Sequence, residues 1–189
     1  LIHQLAVEGA SGGLATAAAH HLDSGGKLLR ARLALAAGRA VGVDERGRVA
    51  VAAACELVHN ASLVHDDLQD GDRHRRGREA VWSRFGEGVA ICLGDHLLSA
   101  GFRALARAGC DNAPLVERLG ERVAELSSGQ AEELALCRAG QAADWPAYER
   151  IAGLKTTPLL ALPLELAFLL AGAEARYARA TAGLARGFG

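Results

Sequence analysis

Apolar residues recur at three- and four-residue steps through most of this chain, and the clearest run lies between Arg48 and Asp70. There Ala54, Leu57, Val58, Ala61, Val64 and Leu68 fall on one face with no Pro or Gly between them. The spacing predicts one continuous helix, roughly 34 Å long at 1.5 Å per residue. Leu1 to Leu22 is Ala-rich, a weak helix broken at Gly12-Gly13. Asp23-Ser24-Gly25-Gly26 signals a turn and a helix start, and Lys27 to Arg32 opens the next helix with Lys27 and Arg30 on one face. A turn at Gly86-Glu87-Gly88 leads into an apolar helix through Phe102, and Asn112-Ala113-Pro114 starts another that reaches Gln130.

Further on, Cys137 to Ala143 reads as a loop, and Asp144 caps a helix that has Pro146 in its first turn and turns Tyr148, Ile151, Ala152 and Leu154 inward. Pro158 is expected to kink the chain by removing a backbone donor. Pro158 to Ala173 is apolar on nearly every side, which places it in the middle of a bundle, and Glu174 to Gly189 reads as one more helix. No strand-like alternation appears. The expected fold is all-α, one domain over residues 1–189, a helical bundle around a deep central cavity.

The helix ending at Asp70 carries unusual chemistry. Asp66, Asp67 and Asp70 follow the pattern D-D-x-x-D, with Asp66 and Asp70 one turn apart on the same face. Carboxylates at a helix C-terminus lie against the negative end of its dipole, so a cation is expected beside them. An oxygen-only ligand set suits Mg²⁺, which keeps several waters and shares its other sites with substrate phosphates. Just beyond stand Arg73, Arg75, Arg76 and Arg78, whose planar forks match phosphate oxygens. Together they describe a Mg²⁺-diphosphate clamp; spacing alone also permits a solvated helix end whose charges pair with one another.

Composition narrows the setting more than the chemistry. Half of the 189 residues are hydrophobic, enough for one sizeable core, and the net charge of −1 gives no field that favours nucleic acid. The four cysteines show no C-x-x-C spacing, which argues against zinc or a disulfide framework and suggests small buried hydrophobes in a reducing compartment. Pro158 to Ala173 is interrupted by Pro163 and Glu165 and is too short to span a bilayer, so a cytoplasmic location without a membrane span is expected. The chain starts with Leu and contains no methionine, so further residues are expected outside it.

The run from Glu56 to Asp70, ELVHNASLVHDDLQD, followed by Arg75-Arg76-Gly77, resembles the first aspartate-rich motif of the trans-type polyprenyl diphosphate synthases. The resemblance implies head-to-tail condensation of isopentenyl diphosphate with an allylic prenyl diphosphate, with Mg²⁺ as cofactor and a homodimer as the assembly. It assigns Asp66, Asp67 and Asp70 to metal and catalysis, and Lys27, Arg30, His59 and Arg76 to the isopentenyl diphosphate site. Arg75 and Lys155 fall to the allylic diphosphate, Thr156 to the developing carbocation, and Gln130 with Glu133 to the cavity wall. Ala31 replaces a proline common in the family, while Asp95 is read as structural.

In such enzymes a bulky aromatic four or five residues before the first aspartate stops growth early. Here those positions are Ser62 and Ala61, both small. A product of twenty carbons or more is implied, as made by a geranylgeranyl diphosphate synthase, with the pocket floor near Val58 or Phe102. The family's second aspartate-rich motif is expected beyond Gly189. Two other readings stay open: a non-catalytic subunit that modulates a full-length partner, and a metal phosphohydrolase built on His65-Asp66 with His20, His21 and Asp95.

Overall fold

The computed structural model describes residues 1–109, 112–140 and 144–173. Nine helices stand among them: α1 (Ile2–Val7), α2 (Gly12–Leu22), α3 (Leu29–Ala40), α4 (Glu45–Asp70), α5 (Val81–Phe85), α6 (Glu87–Leu105), α7 (Ala113–Arg138), α8 (Trp145–Lys155) and α9 (Thr157–Leu170). The expected all-α bundle is the observed fold. One small addition is a hairpin of two-residue strands, β1 (His74–Arg75) and β2 (Arg78–Glu79), which pairs His74 with Glu79 and shapes the arginine loop.

Helix α4 is the axis. Asp44 caps it by accepting the Gly47 amide at 2.7 Å, so it starts three residues before the predicted Arg48. Gly71 ends it in the left-handed conformation, φ 72°. Between these stops it buries Val51, Leu57, Val58, Ala61 and Val64 and packs mainly against α6 and α3. Glycine permits the close approach to α6: a β-carbon on Gly94 would collide with the His65 ring, and one on Gly101 would lie 2.8 Å from Val58.

Other boundaries shift for local reasons. Gly12 and Gly13 begin α2 behind Ser11 instead of breaking a helix, and the break falls at Gly9, φ 82°. Lys27 precedes α3 and is not on its first turn, because Leu28 adopts φ 47° and the helix begins at Leu29. Helix α7 continues beyond Gln130 to Arg138, which puts Cys137 on its last turn. The Asp144 cap is present, accepting the Ala147 amide at 2.9 Å, but Tyr148 faces outward beside Trp145. Pro158 does not kink a continuous helix. The chain breaks at Thr156, and Pro158 occupies the first turn of α9.

As expected from its apolarity, α9 is buried, including Leu159, Leu162, Leu166 and Pro163. Glu165 lies in its middle, 1% exposed, and receives two bonds from Arg122 at 2.7 and 2.8 Å. Taken as one run, Trp145–Leu170 is long and apolar enough to cross a membrane by length and composition, a longer stretch than Pro158 to Ala173. The break at Thr156 divides this run: α8 buries only Ile151, whereas α9, with the Glu165 ion pair, lies in the core of the bundle. Cys55 is buried, and burial raises its thiol pKa; Cys92 and Cys137 are exposed, contrary to the expectation of buried cysteines. Cys110 and the expected helix from Glu174 to Gly189 lie outside the described residues.

Candidate functional site

Two cavities open along α4, and the larger gathers the predicted cations. About 660 Å³ in volume, it is bounded by Lys27, Arg30, His59 and Arg76, together with Glu56 and the Gly25-Gly26 turn. These four residues come from a loop, α3, α4 and the hairpin tip, so sequence neighbourhood alone does not assemble them. Arg76 reaches across to Gly26: a β-carbon there would lie 2.7 Å from Arg76 Nη1. Leu28 and Arg76, with φ of 47° and 52°, are the two non-glycine residues of positive φ among the described residues, and both bound this cavity.

Its electrostatics are those of a binding site for an anion. Burial, then the charges of Arg30, Arg76 and Arg75, lowers the His59 pKa to about 3. His21 is lowered to about 4, by burial first, although its hydrogen bond with Asn60 Oδ1 at 3.0 Å works the other way. Burial also lowers the Arg30 pKa, and Glu56 opposes it. Arg30 Nε and His59 Nδ1 are buried and have no hydrogen-bond partner among the described residues. An unpartnered arginine donor beside an unpartnered imidazole nitrogen in a cationic cavity fits a phosphate or diphosphate.

One turn and more along α4, the aspartates stand in three different environments. Asp67 is 1% exposed, and its Oδ1 accepts from Arg75 Nη2 at 2.6 Å and Nε at 2.7 Å. Its Oδ2 is buried and lacks a partner among the described residues. Burial raises the Asp66 pKa, with Lys155 acting against the shift and Asp70 adding to it. The Asp70 pKa is also raised by burial, opposed by Lys155 and reinforced by Glu133. Among the described residues, no three His, Cys, Asp or Glu side chains converge as a ready-made metal cage. An orphaned carboxylate oxygen beside two destabilised carboxylates nonetheless fits a hard cation that completes its shell with water and substrate oxygens.

The smaller cavity, about 170 Å³, begins at Asp66 and is lined by Ser62, Leu98, Val123, Leu126 and Gln130. Neither polar atom of buried Gln130 has a partner among the described residues. Ser62, one of the three residues given to the chain-length pocket, lines this cavity. Ala61 and Val58 do not line this cavity; both are fully buried between α4 and its neighbours, and Phe102 packs against the core. The wall opposite Ser62 comes from α6 and α7.

Lys155 and Thr156 bound a third cavity of about 270 Å³ with Glu133, Tyr148 and Ile151. Lys155 Nζ donates to Glu133 Oε2 at 2.6 Å. Burial disfavours its charge, but that hydrogen bond and the fields of Asp66 and Asp70 prevail, so its pKa is raised. Thus the structure brings Lys155 electrostatically close to the aspartates while holding it on Glu133. Thr156 is exposed at the break between α8 and α9.

Sequence reasoning gave Glu56 and Asn60 no role of their own and read Glu165 only as an interruption. Each is a buried polar group in an apolar helix, which is the signal that could have found them. Asp95 is exposed, 3.7 Å from His65. The phosphohydrolase reading loses its ligands. His20 Nε2 donates to the Glu79 carbonyl at 2.8 Å and accepts Arg78 at Nδ1, while His21 is held by Asn60.

Comparison with known proteins agrees with this arrangement. The sequence profile of the polyprenyl synthetase family matches residues 12–189. A geranylgeranyl diphosphate synthase of Mycobacterium tuberculosis is 38% identical over 182 residues, covering 89% of this chain and 52% of that protein. A farnesyl diphosphate synthase of Geobacillus stearothermophilus is 34% identical, covering 88% and 59%. Among solved structures, geranylgeranyl pyrophosphate synthetase of Pyrococcus horikoshii superimposes with a TM-score of 0.90 at 32% identity, covering 98% of this chain and 57% of that one. An isoprenoid synthase family member from Thermotoga neapolitana gives 0.88 at 30% identity, covering 99% and 73%. The chain spans about half the length of the curated relatives it matches.

Proposed function

The chain belongs to the polyprenyl synthetase family, and from that membership we propose that the protein containing it joins isopentenyl diphosphate head to tail with an allylic prenyl diphosphate. The carbon–oxygen bond of the allylic diphosphate breaks, a carbon–carbon bond forms, and a proton leaves. The observation that carries this reading is the cavity in which Lys27, Arg30, His59 and Arg76 meet, with His59 on the same helix as Asp66, Asp67 and Asp70.

In this reading Lys27, Arg30 and Arg76 bind the diphosphate of the homoallylic substrate, and His59, neutral when the cavity is empty, adds a ring nitrogen. The allylic tail enters the smaller cavity, where Leu98, Val123 and Leu126 exclude water from the reacting carbon. Arg75 and Lys155 lie near the aspartates and supply positive charge toward the departing diphosphate. Asp66, Asp67 and Asp70 would hold Mg²⁺, whose chemistry is to neutralise that diphosphate as a Lewis acid. Small Ser62 leaves the tail room to grow, which supports a product of twenty carbons or more. Homodimeric assembly and a cytoplasmic setting belong to the same proposal through the family.

The test is incorporation of labelled isopentenyl diphosphate by the intact protein with farnesyl diphosphate and Mg²⁺, with products resolved by chain length. A product of twenty carbons or more, lost in Asp66→Ala, is expected. No incorporation from any allylic primer would overturn the reading.

A further inference from the structure

Glu56 is a carboxylate in a cavity otherwise rich in cations, where its charge opposes a bound anion. It is 3% exposed, one turn before His59 on α4, and bounds the 660 Å³ cavity. A negative charge facing an anion site weakens the site unless it does something else.

Its geometry shows what else it does. Glu56 Oε1 accepts the backbone amide of Ala31 at 3.0 Å. Ala31 is the third residue of α3, so its amide is one of the donors that a helix start leaves unsatisfied. Leu28, which precedes α3, has a hydrocarbon side chain and cannot cap it; the left-handed turn there also denies the usual entry. The cap therefore comes from another helix. Arg30 stands one residue before Ala31, and Glu56 is the first charge acting to keep its buried guanidinium ionised. From below, Asn60 Nδ2 donates to the Glu56 carbonyl at 2.7 Å, and Asn60 Oδ1 meets His21, tying the same turn of α4 to α2.

We propose that Glu56 is a positioning residue: by accepting the Ala31 amide and countering the Arg30 charge, it fixes the first turn of α3 so that Arg30 faces the anion cavity. The inference rests on the proposed assignment of that cavity to isopentenyl diphosphate. Its effect opposes simple charge arithmetic, and this makes it separable. A merely repulsive Glu56 would strengthen anion binding when removed, whereas a positioning Glu56 would weaken it.

The experiment compares Glu56→Ala and Glu56→Gln with the intact wild-type protein, measuring KM for isopentenyl diphosphate, KM for the allylic diphosphate and kcat, and direct binding of isopentenyl diphosphate by calorimetry. Glu56→Ala is expected to raise KM and Kd for isopentenyl diphosphate roughly 10- to 100-fold, the equivalent of one lost hydrogen bond to a charged group. The allylic KM should change less than threefold. Glu56→Gln, whose amide oxygen can still accept the Ala31 amide, should recover part of the loss. Tighter or unchanged isopentenyl diphosphate binding in Glu56→Ala would overturn the inference, as would equal losses for both substrates. Should the alanine variant not fold, the glutamine variant carries the test: an unchanged or lower KM for isopentenyl diphosphate overturns the inference. An inactive wild-type protein that binds no isopentenyl diphosphate would instead overturn the functional proposal.

Discussion

Arg75 grips Asp67 through one oxygen only: Nη2 and Nε both reach Oδ1, at 2.6 and 2.7 Å, and the buried Oδ2 has no partner among the described residues. The protein thus occupies one oxygen of the carboxylate and leaves the other buried beside it. Arg75→Ala would expose a buried carboxylate to its full desolvation cost, with an expected loss of about 1.5–3 kcal/mol in denaturant unfolding. Mg²⁺ together with diphosphate should restore part of that stability in Arg75→Ala and none in Arg75→Ala/Asp67→Ala.

Gly26→Ala separates fold from binding. The added β-carbon would lie 2.7 Å from Arg76 Nη1, the free end of a flexible side chain, which can swing away. Thermal unfolding should shift little, with a stability change within about 0.5 kcal/mol. Isopentenyl diphosphate affinity should fall roughly tenfold, the loss of one charged hydrogen bond.

Acid should weaken this protein before its carboxylates titrate. His59 and His21, lowered to about 3 and about 4, stay neutral in the folded state while the unfolded chain takes up protons below the ordinary histidine value of 6.5. Their contribution is complete above pH 6.5 and is lost as pH falls from there toward 4, at a limiting rate of about 1.4 kcal/mol per pH unit for each group. Asp66 and Asp70, whose pKa values are raised, act in the opposite sense at the acid end. Unfolding midpoints measured from pH 7.5 to 4.5 should show this slope, and His21→Gln should flatten it.

Ser62→Phe should shorten the product. The side chain borders the 170 Å³ cavity directly below Asp66, so a ring there fills the space a growing tail would enter. On the proposed function, product analysis is expected to move toward shorter chains than the wild-type protein makes. Val58→Phe, at a position buried in the helix packing against Gly101, should instead destabilise the fold by about 1–3 kcal/mol through overpacking.

Glu165→Ala should cost about 1.5–3 kcal/mol, because Arg122 loses a fully buried partner in the middle of the bundle while keeping Glu125. Glu165→Leu combined with Arg122→Met, which removes both charges, should recover most of that loss in the same unfolding measurement.

The helices were legible in sequence because their apolar faces repeat, and α4 could be placed to within three residues at its start. The residues of the anion cavity were legible only through the family motif, since four separate segments meet there. Periodicity carries no information about which segments meet. What sequence missed has a common physical cause. Lys27 left the predicted helix because Leu28 takes a left-handed backbone that local propensity disfavours. Glu165 read as an interruption because its partner Arg122 is 43 residues away. The resemblance gave Lys155 only to the allylic diphosphate, because its partner Glu133 lies on a different helix.

Helix α4 carries Glu56 and His59 at one cavity and Asp66 at the other, with Asp67 and Asp70 following on and no interruption between them. A one-residue deletion anywhere from His59 to Asp66 would rotate everything downstream by about 100° and shorten the span by about 1.5 Å. Both groups could not then keep their cavities. Substitutions can retune this stretch, but insertions and deletions cannot, so length variation among relatives should collect in the loops and leave this segment ungapped.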